Sequence, residues 1–213
     1  MKNYRWNSNK HTEDDKIRVY LFISRNKDNK ELENFHERRY SFVGYDSNYD
    51  SIHKRFNDFV NHGIIGEMSR LYRSVNARDE SLVYKNFLAS LIIEDGLHLD
   101  SIEPFLAGVA ARKECAAEKK WLLDFDNEDK DSQNEFIKDV KKELSRLREL
   151  QTLKHPDIIL EEDVIDRHET PHGLAVIVNH GFDTRELAKK WGDAFSVKKD
   201  DLLFMDKGIK KVN

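Results

Sequence analysis

The stretch Trp-Leu-Leu-Asp-Phe-Asp at residues 121–126 alternates apolar and acidic side chains from its third residue onward. A period of two is typical of a β-strand, in which successive side chains point to opposite faces. The pattern therefore predicts a strand with Asp124 and Asp126 on one face and Leu123 and Phe125 on the other. We expect the apolar face to pack on helices and the acidic face to stay open.

The elements that follow this strand have an ordered pattern. They predict a helix at 132–150, a strand at 158–165, a turn at 170–173, a strand at 174–178, a helix at 183–191 and a strand at 201–205. The order β-α-β-β-α-β is that of the split βαβ unit, which RNA-recognition modules and polymerase palm domains share. We therefore predict a palm-like or RRM-like βαββαβ unit over residues 119–213. Its first and third strands are expected to be adjacent and parallel, with the fourth antiparallel to the first.

The sequence before this unit predicts a mixture of strands and helices. Residues 1–16 are polar and aperiodic, and we expect a flexible start. Residues 17–118 predict strands at 17–23 and 40–43 and helices at 51–63, 79–93 and 104–118. The buried stripe of the second helix is expected at Leu82, Val83, Phe87, Leu88, Leu91 and Ile92. The expected fold class is α+β, and the two regions are compatible with one compact domain.

Composition limits the classes of function. The chain has 213 residues, with 36 Lys and Arg against 40 Asp and Glu, and one cysteine, Cys115. Because the charge is nearly balanced, any binding of nucleic acid needs a local basic patch. A single cysteine excludes a disulfide framework and Cys-rich metal sites. No apolar run approaches the roughly 20 residues of a membrane span. These features are typical of a cytoplasmic protein that does not bind membranes.

Asp124 and Asp126 are candidate metal ligands. Two carboxylates on one open face repel each other unless a cation lies between them. Hard oxygen ligands of this kind suit Mg²⁺ or Mn²⁺ together with the phosphates of a nucleotide. The alternative is that residues 124–129 form a solvated loop whose acids favour the start of the next helix.

The predicted topology also indicates neighbours for these acids. In this topology the end of the first strand lies close to the end of the third strand, at His180, and to the start of the fourth strand. Asp200 or Asp201 would then supply a third carboxylate, and Lys198 and Lys199 would bind a triphosphate.

Basic and aromatic residues near position 70 are candidates for contact with nucleic acid. Arginine pairs with phosphate in a bidentate manner, and tyrosine stacks on bases. These residues are Arg70, Tyr72, Arg73 and Arg78. If residues 68–75 form a strand, Arg70 and Tyr72 share one face. The alternative is an exposed amphipathic segment that covers the N-terminal core.

Three pieces of the C-terminal half resemble the archaeo-eukaryotic primase superfamily (primase-polymerases), in its small phage versions. They are the hydrophobic-Asp-x-Asp stretch at 121–126, the hairpin Thr-Pro-His-Gly-Leu-Ala-Val-Ile at 170–177 and the strand Asp-Leu-Leu-Phe at 201–204. The resemblance implies that the first piece binds metal through two acids. It implies that the second contacts nucleotide phosphate through a glycine turn and a strand histidine, and that the third supplies a further acid.

One departure from the family concerns the histidine. It is expected two residues after Gly173, where this chain has Ala175. His172 and His180 are the nearest candidates to bind nucleotide in its place. If neither does so, the chain would keep the fold and bind nucleotide or metal without polymerising.

The resemblance implies a metal-dependent nucleotidyltransferase of the primase-polymerase type. It would bind a nucleoside triphosphate and single-stranded nucleic acid, with Asp124, Asp126 and Asp200 or Asp201 as catalytic acids and Mg²⁺ or Mn²⁺ as cofactor. One alternative is a catalytically inactive phage relative that binds nucleotide, nucleic acid or a host protein. Another is a metal-dependent nuclease with water as nucleophile. A helicase or host protein is an expected partner, and the host cytoplasm is the expected location.

Overall fold

The computed structural model describes residues 15–93, 98–154 and 165–212. In these residues the fold is α+β, as predicted, with two four-stranded antiparallel sheets and five helices. The strands are β1 (Ile17–Ser24), β2 (Arg38–Tyr45), β3 (Met68–Ser74), β4 (Trp121–Phe125), β5 (Ile165–Thr170), β6 (Gly173–Val178), β7 (Phe195–Lys198) and β8 (Leu202–Ile209). The helices are α1 (Tyr49–Asn61), α2 (Glu80–Ile93), α3 (Ile102–Ala110), α4 (Lys130–Lys154) and α5 (Arg185–Trp191). Residues 1–14 of the predicted flexible start, and residues 158–164 of a predicted strand, lie outside the described residues.

The first sheet has the strand order β2-β1-β3-β8 and packs on α1. Ile52, Phe56 and Val60 recur every fourth residue along α1, so they form one apolar stripe. The stripe is buried against aromatic and aliphatic side chains of the sheet, which are Tyr20, Phe22, Phe42 and Leu71. Because side chains alternate along β3, Arg70 and Tyr72 lie on the opposite face from Leu71.

The other face of the first sheet is partly covered by α2 and α3. The core there contains Ile17, Val19, Val83, Ala107, Ala110 and Cys115. The buried stripe predicted for α2 is largely wrong, since Val83 is buried whereas Leu82, Leu88, Leu91 and Ile92 are exposed. The predicted third helix also ends early, and Cys115 lies buried in a 3-10 turn. None of the helices in the described part of the chain has both the length and the apolar character to cross a membrane.

The second sheet has the strand order β5-β6-β4-β7. Helices α4 and α5 cover one of its faces, and Leu123 and Phe125 belong to the core between them. The ring of Phe125 stacks on Phe136 of α4, with the centroids 4.4 Å apart. This confirms the face predicted for the apolar residues of β4, and it leaves Asp124 on the face turned away from the helices.

Two features of the predicted βαββαβ unit are wrong. The first and third strands, β4 and β6, run antiparallel, since Trp121 pairs with Val178 and Phe125 with Leu174. The fourth strand of this sheet is β7, which the sequence did not predict. The strand predicted at 201–205 corresponds to β8, which pairs with β3 of the first sheet. The expected parallel direction is inconsistent with the predicted topology itself, because in a split βαβ unit the third strand lies antiparallel between the first and second strands. The partner of the last strand is set by long-range contacts, which the alternation along one strand does not report.

The two sheets are joined along residues 75–78, directly after β3. The Val75 N–H donates to the Asp201 carbonyl at 2.9 Å. The side chain of Asn76 bonds the Asp200 carboxylate at 3.1 Å and the backbone of Lys120 and Lys199, which flank β4 and β7 of the second sheet. Arg78 donates two hydrogen bonds to Asp200, at 2.8 and 3.0 Å. An apolar cluster of Val75, Leu122, Ala175, Ile177 and Leu203 joins the sheets beside these contacts. The junction therefore fixes the separation of the two sheets.

Candidate functional site

A cleft of about 210 Å³ opens between the two sheets. One wall, here called the basic wall, belongs to the first sheet and the loop after β1, and it includes Arg25, Lys27, Arg70, Tyr72 and Phe204. The opposite wall, here called the acid wall, belongs to the second sheet and includes Asp124, Asp126, His172, Ala175 and Lys198. The cleft thus brings together candidate residues that the sequence places in separate segments.

The two acids lie on the cleft face of the second sheet, as the alternation predicts. Asp124 is within β4, and its Oδ2 accepts a hydrogen bond from Lys198 Nζ at 3.0 Å. Asp126 follows the strand, and its backbone N–H donates to the Ala194 carbonyl at 2.8 Å. The exposed carboxylate of Asp126 makes no hydrogen bond or ion pair with any residue that the structure describes. One acid is therefore compensated by the chain itself, and the other is open to a ligand.

Lys198 is the cation of the acid wall. Its Nζ also lies 3.6 Å from Asp201 Oδ2, so it bridges two carboxylates. Partial burial lowers the pKa of Lys198, but the hydrogen bond to Asp124 and the charges of Asp124 and Asp201 outweigh burial and hold the pKa above its ordinary value. Lys198 is thus an ammonium at neutral pH. Lys199 does not line the cleft, and its ammonium lies 5.1 Å from the centre of the Trp121 ring.

The turn between β5 and β6 places His172 near the end of β4. Since β4 and β6 are antiparallel, the start of β6 meets the end of β4. Gly173 allows this approach, because a Cβ there would lie 2.0 Å from the Phe125 carbonyl oxygen. His172 is exposed, with its Nδ1 3.6 Å from Glu128 Oε1. His180 follows β6 at the far end of the sheet and does not line the cleft, so the structure separates the two candidate histidines.

Ala175 occupies the position where the resemblance places a histidine. It is the cross-strand partner of Asp124 and is buried in the floor of the acid wall. Because its side chain is a methyl group, this position cannot donate a hydrogen bond to a phosphate.

The basic wall combines fixed cations with aromatic rings. Tyr72 makes an edge contact with Phe204 on β8, with ring centroids 5.9 Å apart. Arg70 donates to Asp28 at 2.6 Å, and Arg25 donates to the same carboxylate at 2.9 Å. Burial raises the pKa of Asp28, but the hydrogen bonds and charges of the two arginines outweigh it and hold the pKa below its ordinary value. In the described part of the chain, Arg70 Nε is buried without a hydrogen-bond partner.

The remaining candidates lie outside the cleft. Arg73 projects from β3 towards Asp46, and the closest approach of their side chains is 3.3 Å. Arg78 and Asp200 neutralise each other at the sheet junction, where the Arg78 side chain is only 3% exposed. Asp201 reaches the acid wall only through Lys198. Arg78 and Asp200 therefore have a structural role, because their ion pair joins the two sheets.

Sequence reasoning missed Arg25, Lys27 and Phe204. The first two belong to a charged stretch after β1 whose composition is that of any solvated loop, so no spacing signal marks them. Phe204 falls in the predicted last strand, but the assignment of that strand to the βαββαβ unit hides its contact with Tyr72.

The acids suit a metal ion only in combination with a ligand. Within the ranges that the structure describes, no three Asp, Glu, His or Cys side chains are grouped closely enough to hold a metal. Mg²⁺ is commonly bound by one or two carboxylates plus water and substrate phosphates. The pair Asp124 and Asp126 fits that donor set, and it does not fit a metal held by protein side chains alone.

No protein-family model, curated protein or solved structure matches this chain. Its function is therefore inferred from the chemistry of the cleft.

Proposed function

We propose that the protein is a metal-dependent nucleotidyltransferase of the primase-polymerase type, which binds a nucleoside triphosphate and single-stranded nucleic acid in the cleft. The observation that carries the proposal is that the acid wall faces a wall of arginine and aromatic side chains. Nucleotidyl transfer uses both, because the acids would hold the metal ion that compensates the charge of the triphosphate and the strand requires a surface on which to stack.

The acid wall would bind the triphosphate. Asp124 and Asp126 are the residues that would hold Mg²⁺ or Mn²⁺ with it. When bound, such an ion neutralises phosphate charge and activates the attacking hydroxyl. Lys198 is placed to donate to phosphate oxygens, since its ammonium lies at this wall and its side chain is 40% exposed. His172 is a second candidate donor, because it is exposed on the turn that borders the cleft.

The basic wall would bind the single strand. Aromatic faces stack on bases without regard to sequence, and arginines contact the phosphates between them. Tyr72 and Phe204 would form the stacking surface. Arg70 is held by Asp28 and is almost fully buried, so its guanidinium is already oriented before the strand binds.

The connections of the second sheet support the finer part of the proposal, a palm-like or RRM-like unit. The order β4-α4-β5-β6-α5-β7, with β4 and β6 at the centre and both helices packed on one face, supports a split βαβ unit. In such a unit, polar residues of the first strand face away from the helices, as Asp124 does. The first sheet then supplies the opposite wall of the cleft.

A catalytically inactive relative is the second candidate. Two observations favour it, because Ala175 stands beside Asp124 where the family histidine is expected and Lys198 already compensates Asp124. Such a protein would bind nucleotide or nucleic acid in the same cleft, or a host protein, without transferring a nucleotide.

Calorimetric titration with a nucleoside triphosphate, with and without Mn²⁺, tests the proposed site. Asp126→Asn removes the unpaired carboxylate without breaking a side-chain contact that the structure describes. Asp50→Asn, at an exposed position on α1 outside the residues that line the cleft, is the matched control. We expect Mn²⁺-dependent binding by the wild-type protein and by the control, and its loss in Asp126→Asn.

Incubation with a labelled primer on a template then separates the candidates. Extension supports the nucleotidyltransferase, and triphosphate binding without extension supports the inactive relative. Shortening of the strand supports a nuclease. A wild-type protein that binds no triphosphate in the presence of Mn²⁺ would contradict the proposed site itself.

A further inference from the structure

Lys198 lies between two carboxylates at the edge of the cleft. Its Nζ is 3.0 Å from Asp124 Oδ2 and 3.6 Å from Asp201 Oδ2. Asp126, the other acid of the wall, has no cation beside it among the described residues. An ammonium that belongs to the chain therefore occupies the space next to one of the two acids proposed to bind metal.

We infer that Lys198 is an exchangeable counter-ion that makes the divalent cation and the triphosphate bind cooperatively. The inference rests on the proposed function and adds a dependence of each ligand on the other. A divalent cation at Asp124 and the ammonium of Lys198 repel each other at short range. A cation that arrives alone must therefore displace the ammonium into solvent, whereas a triphosphate provides oxygens to which the ammonium can move.

The position of Lys198 allows this exchange. It is the last residue of β7, the edge strand of the second sheet, and its cross-strand partner is Leu122. Its contact with Asp124 is therefore diagonal and depends on the side-chain conformation. Lysine carries its charge on a flexible stem with three donors, so the ammonium can be redirected without movement of the strand. Partial exposure of the side chain leaves room for that movement.

The charges of the acid wall favour binding of both ligands together. While Lys198 pairs with Asp124, the wall presents one unpaired carboxylate, Asp126, which attracts a divalent cation only weakly. When the ammonium moves to a phosphate, Asp124 is released to the cation and the phosphate gains a donor. Linkage makes the effect reciprocal, so the cation must strengthen triphosphate binding by the same factor by which the triphosphate strengthens cation binding.

Mn²⁺ binding measured by electron paramagnetic resonance of the free ion tests this inference, with and without a non-hydrolysable triphosphate. The variants are Lys198→Gln, which removes the ammonium, Lys198→Arg, which keeps the charge, and Lys199→Gln, a matched control on the neighbouring lysine outside the cleft. We expect Lys198→Gln to bind Mn²⁺ alone about tenfold more tightly than the wild-type protein, as loss of one adjacent positive charge implies. Its dependence on triphosphate should fall, while Lys198→Arg and Lys199→Gln should resemble the wild-type protein.

The two proposals fail in different ways. If Lys198→Gln binds Mn²⁺ no more tightly than the wild-type protein, the counter-ion role is wrong, whatever the triphosphate does. If it binds Mn²⁺ more tightly but no variant binds triphosphate, Lys198 is a counter-ion of Asp124 alone, and both the cooperativity and the proposed function are wrong. Circular dichroism of each variant verifies that the fold is retained.

Discussion

Glu118 should stabilise the fold in a strongly pH-dependent manner. Its side chain is 16% exposed at the junction of the sheets and is paired with Lys16, Arg18 and Lys120. Its Oε2 also accepts a hydrogen bond from the Ala77 N–H at 3.0 Å. Burial raises the pKa of Glu118, but the backbone hydrogen bond and the three cations outweigh it and lower the pKa from 4.5 to about 2. That fall corresponds to roughly 3 kcal/mol, and solvent screening reduces the expected contribution to about 2 kcal/mol.

The sign follows from the lowered pKa. The contribution is fully present above pH 4.5 and is lost as the pH falls towards 2. Glu118→Gln keeps the shape and an acceptor for the backbone N–H but loses the charge. It should therefore lower the free energy of unfolding by about 2 kcal/mol at pH 7, with a difference from wild type that shrinks towards pH 2.

Urea denaturation followed by tryptophan fluorescence at several pH values measures this difference. Glu169→Gln is the control, because among the described residues Glu169 pairs only with Lys130 and its side chain is 80% exposed. The control should unfold at the same urea concentration as the wild-type protein. A Glu118→Gln effect below about 1 kcal/mol at pH 7, or one that does not change with pH, would refute the assignment of a buried charge network to this residue.

Three further changes separate architecture from binding. Asp200→Asn should lower the free energy of unfolding by about 3 kcal/mol in urea denaturation, because it leaves the buried Arg78 uncompensated, and triphosphate affinity should be unchanged. A variant of wild-type stability that binds no triphosphate would instead assign Asp200 to the binding site. Gly173→Ala forces a Cβ to within 2.0 Å of the Phe125 carbonyl, so it should weaken both stability and triphosphate binding, and unchanged calorimetry would contradict the role of this contact. Tyr72→Ala should weaken binding of a labelled single strand about tenfold or more in fluorescence anisotropy, as the loss of one stacked base implies; an equal loss in Tyr72→Phe would exclude stacking as the cause.

The periodicity of apolar residues predicted which faces of individual strands and helices are buried where one face is clearly apolar. The alternation at 121–126 placed Asp124 and Asp126 on one face, because side-chain direction along a strand depends only on position parity. The helix predicted at 51–63 likewise corresponds to α1, where Ile52, Phe56 and Val60 form one apolar stripe because the residues elsewhere on the helix are mostly polar.

The errors arise where the pattern is ambiguous or the contact is distant. The sequence of α2 is apolar on several sides, so it does not specify which side packs, and only Val83 is fully buried. The strand at 202–209 follows the second sheet in sequence but pairs with β3, more than a hundred residues earlier. Nothing in its own alternation distinguishes these partners.

The pairing of β8 with the first sheet is what forms the cleft. If β8 had closed the second sheet, Phe204 would not reach Tyr72, and the acid wall would face solvent. Because β8 crosses to the first sheet, the residues between β7 and β8 must run along the junction, where Asp200 binds Arg78 and the Asp201 carbonyl binds Val75. Lys198 stands immediately before that crossing, so its position beside Asp124 follows from the same connection. The junction therefore determines both the separation of the walls and the cation that occupies the acid wall.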